Sequence, residues 1–214
     1  RIESPLIWEC TRFCLSRETG PGAAAALMLA GGEVMQGFLP EQAWRALTLA
    51  FDAGFRHFDT AHCYGTERHL GDILGRAMAE GRVERSELFI TTKVAHPPSP
   101  PHVAISHRLT WNWSDIDKIR RRVRDDFDAS KEKLGLGYVD LLLMHWPGDF
   151  SNDDPAFAKE ARAAIWEEFE TFLERGDARA IGICNATQRH LQEFVDAGST
   201  LPMVNQVELH PYCQ

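Results

Sequence analysis

The sequence predicts an α/β fold in which short parallel strands alternate with helices. Short apolar runs recur along the chain, and the stretches between them carry apolar residues at every third or fourth position. Uninterrupted apolar runs suit parallel strands that are buried on both faces, and intervening helices supply the crossovers that parallel strands need. At 214 residues and 44% hydrophobic content, the chain can bury one sizeable core.

The amino-terminal part gives the weakest pattern. Residues 1–26 show no clear period, and we predict an irregular arm there, followed by one barrel domain over residues 27–214. Residues 27–29 supply a candidate first strand. The first regular helix starts near Pro40, which suits a first helical turn, and ends before Gly54.

From residue 55 onward, each apolar run is followed by a helical pattern. We predict the later strands at 55–58, 88–92, 139–144, 178–183 and 204–209. The helices between them have apolar faces that include Leu74, Val123, Phe169 and Phe194. These elements amount to about six strand-helix units, whereas a TIM-type (β/α)8 barrel has eight. We therefore expect part of such a barrel, incomplete at its carboxyl end.

Composition excludes several classes of partner. The formal net charge of -8 argues against nucleic acid, which needs a positive protein face. No apolar run reaches the length of a membrane span, so we expect no membrane partner. The five cysteines are scattered and odd in number, which suits free thiols in a reducing compartment and a cytoplasmic location. No spacing of ligand residues favours a metal site.

Four polar residues lie at, or just past, the ends of three successive predicted strands: Asp59, Tyr64, Lys93 and His145. The carboxyl ends of parallel strands meet at one mouth of a barrel. A phenol, an ammonium, a carboxylate and an imidazole that meet there can donate a proton, because the ammonium favours phenolate and the carboxylate holds the ammonium in place. Singly, each residue also suits an ordinary turn, surface or core position. Their shared placement favours a site.

Five segments that contain these residues resemble, in order and at similar spacing, the motifs of the aldo-keto reductases. They read Asp59-Thr-Ala-His-Cys-Tyr64-Gly-Thr-Glu67, Phe89-Ile-Thr-Thr-Lys93-Val, Asp140-Leu-Leu-Leu-Met-His145-Trp-Pro147, Ile181-Gly-Ile-Cys-Asn185 and Asn205-Gln-Val-Glu-Leu-His-Pro-Tyr212. The similarity extends over about residues 39–212, apart from an irregular stretch near 95–114.

The resemblance implies a TIM-barrel oxidoreductase that reduces small aldehydes or ketones with hydride from NADPH, although NADH is not excluded. Tyr64 would then protonate the carbonyl oxygen, and Lys93, paired with Asp59, would lower the pKa of Tyr64 towards neutrality. His145 would orient the carbonyl group. Trp146, together with His145, would contact the substrate.

The resemblance also implies the cofactor contacts. Asn185 and Gln206 match positions that bind the nicotinamide carboxamide. Cys184 stands where the family commonly has serine, and its thiol is a poorer hydrogen-bond donor than a hydroxyl. The seventh and eighth strands of the family, with their cofactor-binding residues, have no counterpart in this chain.

Two alternatives to the active reductase stay open. One is a non-catalytic relative that acts as a regulatory or assembly subunit, and the other is an inactive truncated fragment. A partial barrel would leave the edges of its first and sixth strands unpaired. Unpaired edges invite pairing with another chain, so we expect self-association and weak NADPH binding by residues 1–214 alone.

Overall fold

The computed structural model describes residues 7–10, 45, 48–95, 115–148 and 154–208. Its strands are β1 (Ile7–Cys10), β2 (His57–Asp59), β3 (Phe89–Val94), β4 (Leu141–Met144), β5 (Ile181–Cys184) and β6 (Val204–Val207). Its α-helices with complete bounds are α1 (Glu67–Ala79), α2 (Ile116–Leu134), α3 (Pro155–Glu174) and α4 (Gln188–Ala197). Short 3-10 turns span His62–Tyr64 and Arg85–Glu87. None of the described helices is long and apolar enough to cross a membrane.

All strands are parallel and form one sheet in the order β1-β6-β5-β4-β3-β2. Strands β2 to β6 follow chain order and curl into part of a (β/α)8 barrel, with helices between successive strands. The predicted fold class is therefore confirmed. Among the described strands, β2 has a neighbour on one side, so self-association through its other edge stays a prediction.

Strand β1 falls inside the segment that was expected to be irregular. Its four residues pair in parallel with β6, from Ile7 opposite Val204 to Cys10 opposite Val207. The outer edge of β6, which was expected to be open, is thus paired over these residues. Its sequence, Ile-Trp-Glu-Cys, contains a charged residue and so lacks the continuous apolar run that marked β4 and β5. The candidate strand at 27–29 lies outside the described residues.

The pleat of the sheet separates two sets of side chains. Leu142 and Met144 of β4 belong to the main core, which continues through Val123 and Phe127 of α2 and Phe169 of α3. Leu141 and Leu143 form a separate cluster with Cys184 on the other face of the sheet. Because neighbours along a strand point to opposite faces, this second cluster lies inside the barrel. Register places Lys93 opposite Leu143, so Lys93 also lies on the interior face.

The amino ends of the strands are tied together by a buried carboxylate, Asp140. One of its oxygens accepts hydrogen bonds from Arg85 at 2.8 Å and from the backbone N–H of Ile90 at 2.9 Å. The other accepts from Arg179 at 3.3 Å. This network lies at the end of the barrel opposite to the predicted site, where polar residues usually serve stability.

Helices α1 and α2 approach closely at Gly71. A methyl group on Gly71 would lie 2.3 Å from the carbonyl oxygen of Leu134 and 2.6 Å from that of Lys133, both backbone atoms. Gly75, one turn later in α1, has nothing within 4 Å of the same position. Substitutions at these two glycines therefore distinguish the steric effect of helix packing, present at Gly71 alone, from the general cost of glycine in a helix, present at both.

We predict opposite effects of alanine at these two positions. Gly75→Ala should stabilise the protein by about 0.5–1 kcal/mol, because alanine loses less backbone entropy on folding. Gly71→Ala gains the same term but should be destabilised overall by about 1–3 kcal/mol, since the helices must separate. Urea unfolding of both variants and of the parent measures the difference. Equal stabilisation by both substitutions would contradict the close packing.

Candidate active site

A buried ion pair lies at the carboxyl ends of β2 and β3. The ammonium group of Lys93, whose side chain is 1% exposed, donates a hydrogen bond to Oδ1 of Asp59. It also donates to the backbone carbonyl of Thr60 at 3.1 Å. Strand register makes the pairing possible, because Asp59 lies opposite Thr91, two residues before Lys93 and on the same face of the sheet.

The partners of Lys93 keep it charged. Burial is the largest single effect and acts to lower the pKa of its ammonium group, but the carboxylate of Asp59, Tyr64 and Cys184 together outweigh it. The net result is a pKa above the ordinary value for lysine. The site therefore contains a fixed positive charge at neutral pH.

The turn His62–Tyr64 brings the phenol of Tyr64 to this charge. The Nζ atom of Lys93 lies 5.0 Å from the centre of the Tyr64 ring. The hydroxyl oxygen of Tyr64 lies 3.4 Å from Nε2 of His145, and the two rings meet edge to face at 5.5 Å. The structure thus brings together all four residues that the sequence placed at strand ends.

One electrostatic expectation is wrong. Burial raises the pKa of Tyr64, and although Lys93 acts to lower it, the net pKa lies above the ordinary value for tyrosine and not towards neutrality. The sequence identified the lysine but gave no measure of how deeply the phenol is buried. Tyr64 is therefore protonated at neutral pH, which is the form that can donate a proton.

His145 is held by both its backbone and its ring. Its N–H donates to the carbonyl oxygen of Val94 at 2.8 Å, and its own carbonyl oxygen accepts from Nδ2 of Asn185 at 3.2 Å. On the ring, Nδ1 lies 3.5 Å from the sulfur of Cys63. Trp146 follows directly and is partly exposed, so part of its surface remains accessible beside His145.

The residues expected to contact the cofactor lie at the ends of β5 and β6. The Gln206 amide Nε2 donates to Oδ2 of Asp59 at 2.9 Å, and the Cys184 thiol donates to Oε1 of Gln206 at 3.6 Å. Asn185 adopts a left-handed backbone conformation, with φ of 56°, and its N–H donates to the Gln206 carbonyl at 2.9 Å. Gln206 therefore belongs to the same hydrogen-bonded group as the Asp59–Lys93 pair.

His62 attaches the turn His62–Tyr64 to the neighbouring helix α2, a role that the sequence did not reveal. Its Nδ1 lies 3.2 Å from the hydroxyl oxygen of Ser130, and its Nε2 lies 3.4 Å from a carboxylate oxygen of Asp126, both on α2. Burial, assisted by Lys133 and Arg122, lowers the pKa of His62 to about 4. Burial also raises the pKa of Asp126 to about 6, against the effect of Arg122.

Another buried carboxylate, that of Glu67, fixes the start of α1. One of its oxygens accepts a hydrogen bond from the Thr92 hydroxyl at 2.7 Å, and Lys133 lies 3.5 Å from the other. Glu67 is the last residue of the motif that begins at Asp59. The motif therefore contains site residues as well as a residue that connects the segment to β3 and α2. Within the residues that the structure describes, no group of three possible metal ligands occurs.

The raised pKa of Asp126 predicts a specific pH dependence of stability. A buried carboxyl whose pKa is raised binds its proton more tightly in the folded state, so this group disfavours folding as the pH rises from about 4 to about 6. Asp126→Asn removes that effect. The unfolding free energy of the variant relative to the parent should therefore rise across this window and level off above it.

Chemical denaturation of both proteins at several pH values from about 4 to about 7, a range that includes the titration of Asp126, measures the difference between their unfolding free energies. Asp128→Asn, on the exposed face of α2, is the control for removing a carboxylate without a burial cost. A difference between parent and Asp126→Asn that stays constant with pH would contradict the assignment.

Comparison with known proteins is consistent with this geometry. The model of the aldo/keto reductase family matches residues 27–214. The 9,11-endoperoxide prostaglandin H2 reductase of Trypanosoma cruzi is 36% identical over 169 residues, which cover 79% of this chain and 48% of that protein. Morphine 6-dehydrogenase of Pseudomonas putida is 34% identical over 174 residues, or 80% of this chain and 48% of that protein.

Solved structures give the same picture. An aldo-keto reductase of Bombyx mori, solved in complex with NADP, aligns with a TM-score of 0.62 at 28% identity and covers 85% of this chain and 52% of that one. The chain spans about half the length of the curated relatives that it matches. Because the family model covers most of its residues, the chain belongs to the aldo/keto reductase family.

Proposed function

We propose that this protein reduces small aldehydes or ketones to alcohols, with NADPH as the hydride donor. The observation that carries the proposal is the buried ammonium of Lys93, held by Asp59 beside the protonated phenol of Tyr64. A carbonyl oxygen gains negative charge when hydride is added to its carbon. A site with a proton donor and a fixed positive charge stabilises that change.

Tyr64 acts as the general acid. A nicotinamide cofactor, when bound, supplies the hydride to the carbonyl carbon. The Tyr64 hydroxyl donates its proton to the carbonyl oxygen, which completes the alcohol and leaves a phenolate. The ammonium of Lys93 stabilises this phenolate, because it lies 5.0 Å from the ring, and solvent restores the proton.

His145 and Trp146 orient the substrate. The Nε2 atom of His145 lies 3.4 Å from the Tyr64 hydroxyl, so a carbonyl oxygen that accepts from Tyr64 also lies within reach of the imidazole. The partly exposed Trp146 offers an apolar surface next to it. Together they favour a small carbonyl compound with an apolar substituent.

The ends of β5 and β6 suit the carboxamide of the cofactor. Its amide needs both a donor and an acceptor, and Asn185, Gln206 and Cys184 supply both kinds of group within one hydrogen-bonded cluster. The Bombyx mori relative in complex with NADP supports the phosphorylated cofactor. Neither of the two described buried cysteines, Cys63 and Cys184, is joined in a disulfide, and reduced thiols suit a location in the cytoplasm.

Tyr64→Phe tests the general acid. The variant should lower the rate of aldehyde reduction by at least ~10²-fold, the effect of losing a positioned acid. NADPH binding should persist, since the hydroxyl acts on the substrate. Tyr138→Phe, at a phenol that stacks on Arg85 near the amino ends of the strands, is the matched control and should retain activity.

The assay follows NADPH oxidation, with deuterated cofactor to establish that hydride transfer limits the rate. Turnover by Tyr64→Phe at the parental rate, with a full isotope effect, would contradict the assignment of Tyr64.

A further inference from the structure

Two consecutive residues of one turn contact the two nitrogens of the same imidazole. The sulfur of Cys63 lies 3.5 Å from Nδ1 of His145, and the hydroxyl oxygen of Tyr64 lies 3.4 Å from Nε2. The turn is itself fixed to α2 by the contacts of His62 with Ser130 and Asp126. The position of both side chains relative to the imidazole therefore depends on one anchored segment.

The backbone of His145 is fixed independently of this turn. Its N–H donates to β3, and its carbonyl oxygen accepts from Asn185. A neutral imidazole on this fixed backbone still has two forms, with the proton on Nδ1 or on Nε2. The two forms differ in function, because the nitrogen that faces Tyr64 is either a donor or an acceptor.

The chemistry of the thiol favours one form. An imidazole lone pair is a strong acceptor, whereas a thiol is a weak donor and its sulfur a weak acceptor. A hydrogen bond from the Cys63 S–H to Nδ1 is therefore favoured over one from Nδ1–H to the sulfur. In this arrangement the imidazole proton is on Nε2. Cys63 is only 6% exposed, and burial raises the pKa of its thiol to about 12, so the S–H is retained at neutral pH.

We infer that Cys63 is a positioning residue, whose thiol donates to Nδ1 of His145 and so keeps the imidazole proton on Nε2, facing Tyr64. This inference rests on the proposed function and deepens it. With the proton on Nε2, His145 and Tyr64 both donate towards the carbonyl oxygen of the substrate. With the proton on Nδ1, the Nε2 lone pair would accept the Tyr64 proton and turn the phenol away from the substrate.

Nitrogen-15 NMR of the cofactor-free full chain, with labelled histidine, tests the inference directly. Protonated and unprotonated ring nitrogens have distinct shifts, and the His145 signals are those lost in His145→Asn. Cys63→Ser keeps a donor, whereas Cys63→Val keeps similar volume without one. Parent and Cys63→Ser should show His145 with the proton on Nε2, and Cys63→Val should show a mixture of both forms.

Two results would overturn the inference. One is a parent protein in which His145 carries its proton on Nδ1, a measurement that needs no Cys63 variant to fold. The other is a Cys63→Val protein with the same single form as the parent. Neither result concerns Tyr64→Phe, so failure of this inference and failure of the proposed function are distinguishable.

Kinetics supply a second readout. Cys63→Val should lower kcat for aldehyde reduction by roughly two- to tenfold, the effect of one lost hydrogen bond, without changing the KM for NADPH. Cys63→Ser should restore most of the loss. A Cys63→Ser protein as impaired as Cys63→Val would show that packing of the sulfur matters and hydrogen bonding does not, which would overturn the inference.

Discussion

The ion pair between Asp59 and Lys93 is the interaction on which the rest of the site depends. A charge buried in a protein interior costs several kcal/mol unless a partner of opposite sign and good hydrogen bonds compensate it. Here one carboxylate serves two strands besides its own, since Oδ1 accepts from Lys93 on β3 and Oδ2 accepts from Gln206 on β6. The carboxyl ends of β2, β3 and β6 are thereby held in one arrangement across the barrel interior.

The ion pair also determines what the site can do. Because Asp59 compensates the charge of Lys93, the ammonium tolerates full burial and stays charged. Tyr64 stays protonated for a separate reason, since burial of the phenol itself raises its pKa more than Lys93 lowers it. The turn that carries Tyr64 is attached to α2 through His62, and its Tyr64 hydroxyl contacts His145. Packing therefore gives the Tyr64 hydroxyl a fixed direction and places the Lys93 ammonium near it. The lowered pKa of Tyr64 that the motif alone suggested is not needed for this arrangement.

The sequence predicted those features that depend on local pattern. Continuous apolar runs identified β3, β4 and β5, and strand ends identified Asp59, Lys93 and His145. Features that depend on contacts between distant segments were not predictable. The hydrogen bond between Gln206 and Asp59 joins residues that are 147 positions apart, and it forms only because the sheet curls and brings β6 near β2. The pairing of β1 with β6 likewise has no local signal in its four residues.

A double-mutant cycle on the ion pair tests the central claim most directly. Asp59→Asn and Lys93→Met should each lose about 3–5 kcal/mol of unfolding free energy, because each leaves one buried charge without its partner. The double variant, with no buried charge left, should lose far less than the sum, with a coupling energy of about 2 kcal/mol or more. Urea unfolding measures all four proteins. Additive losses in the double variant would contradict the account, since Asp59 and Lys93 would then not depend on each other.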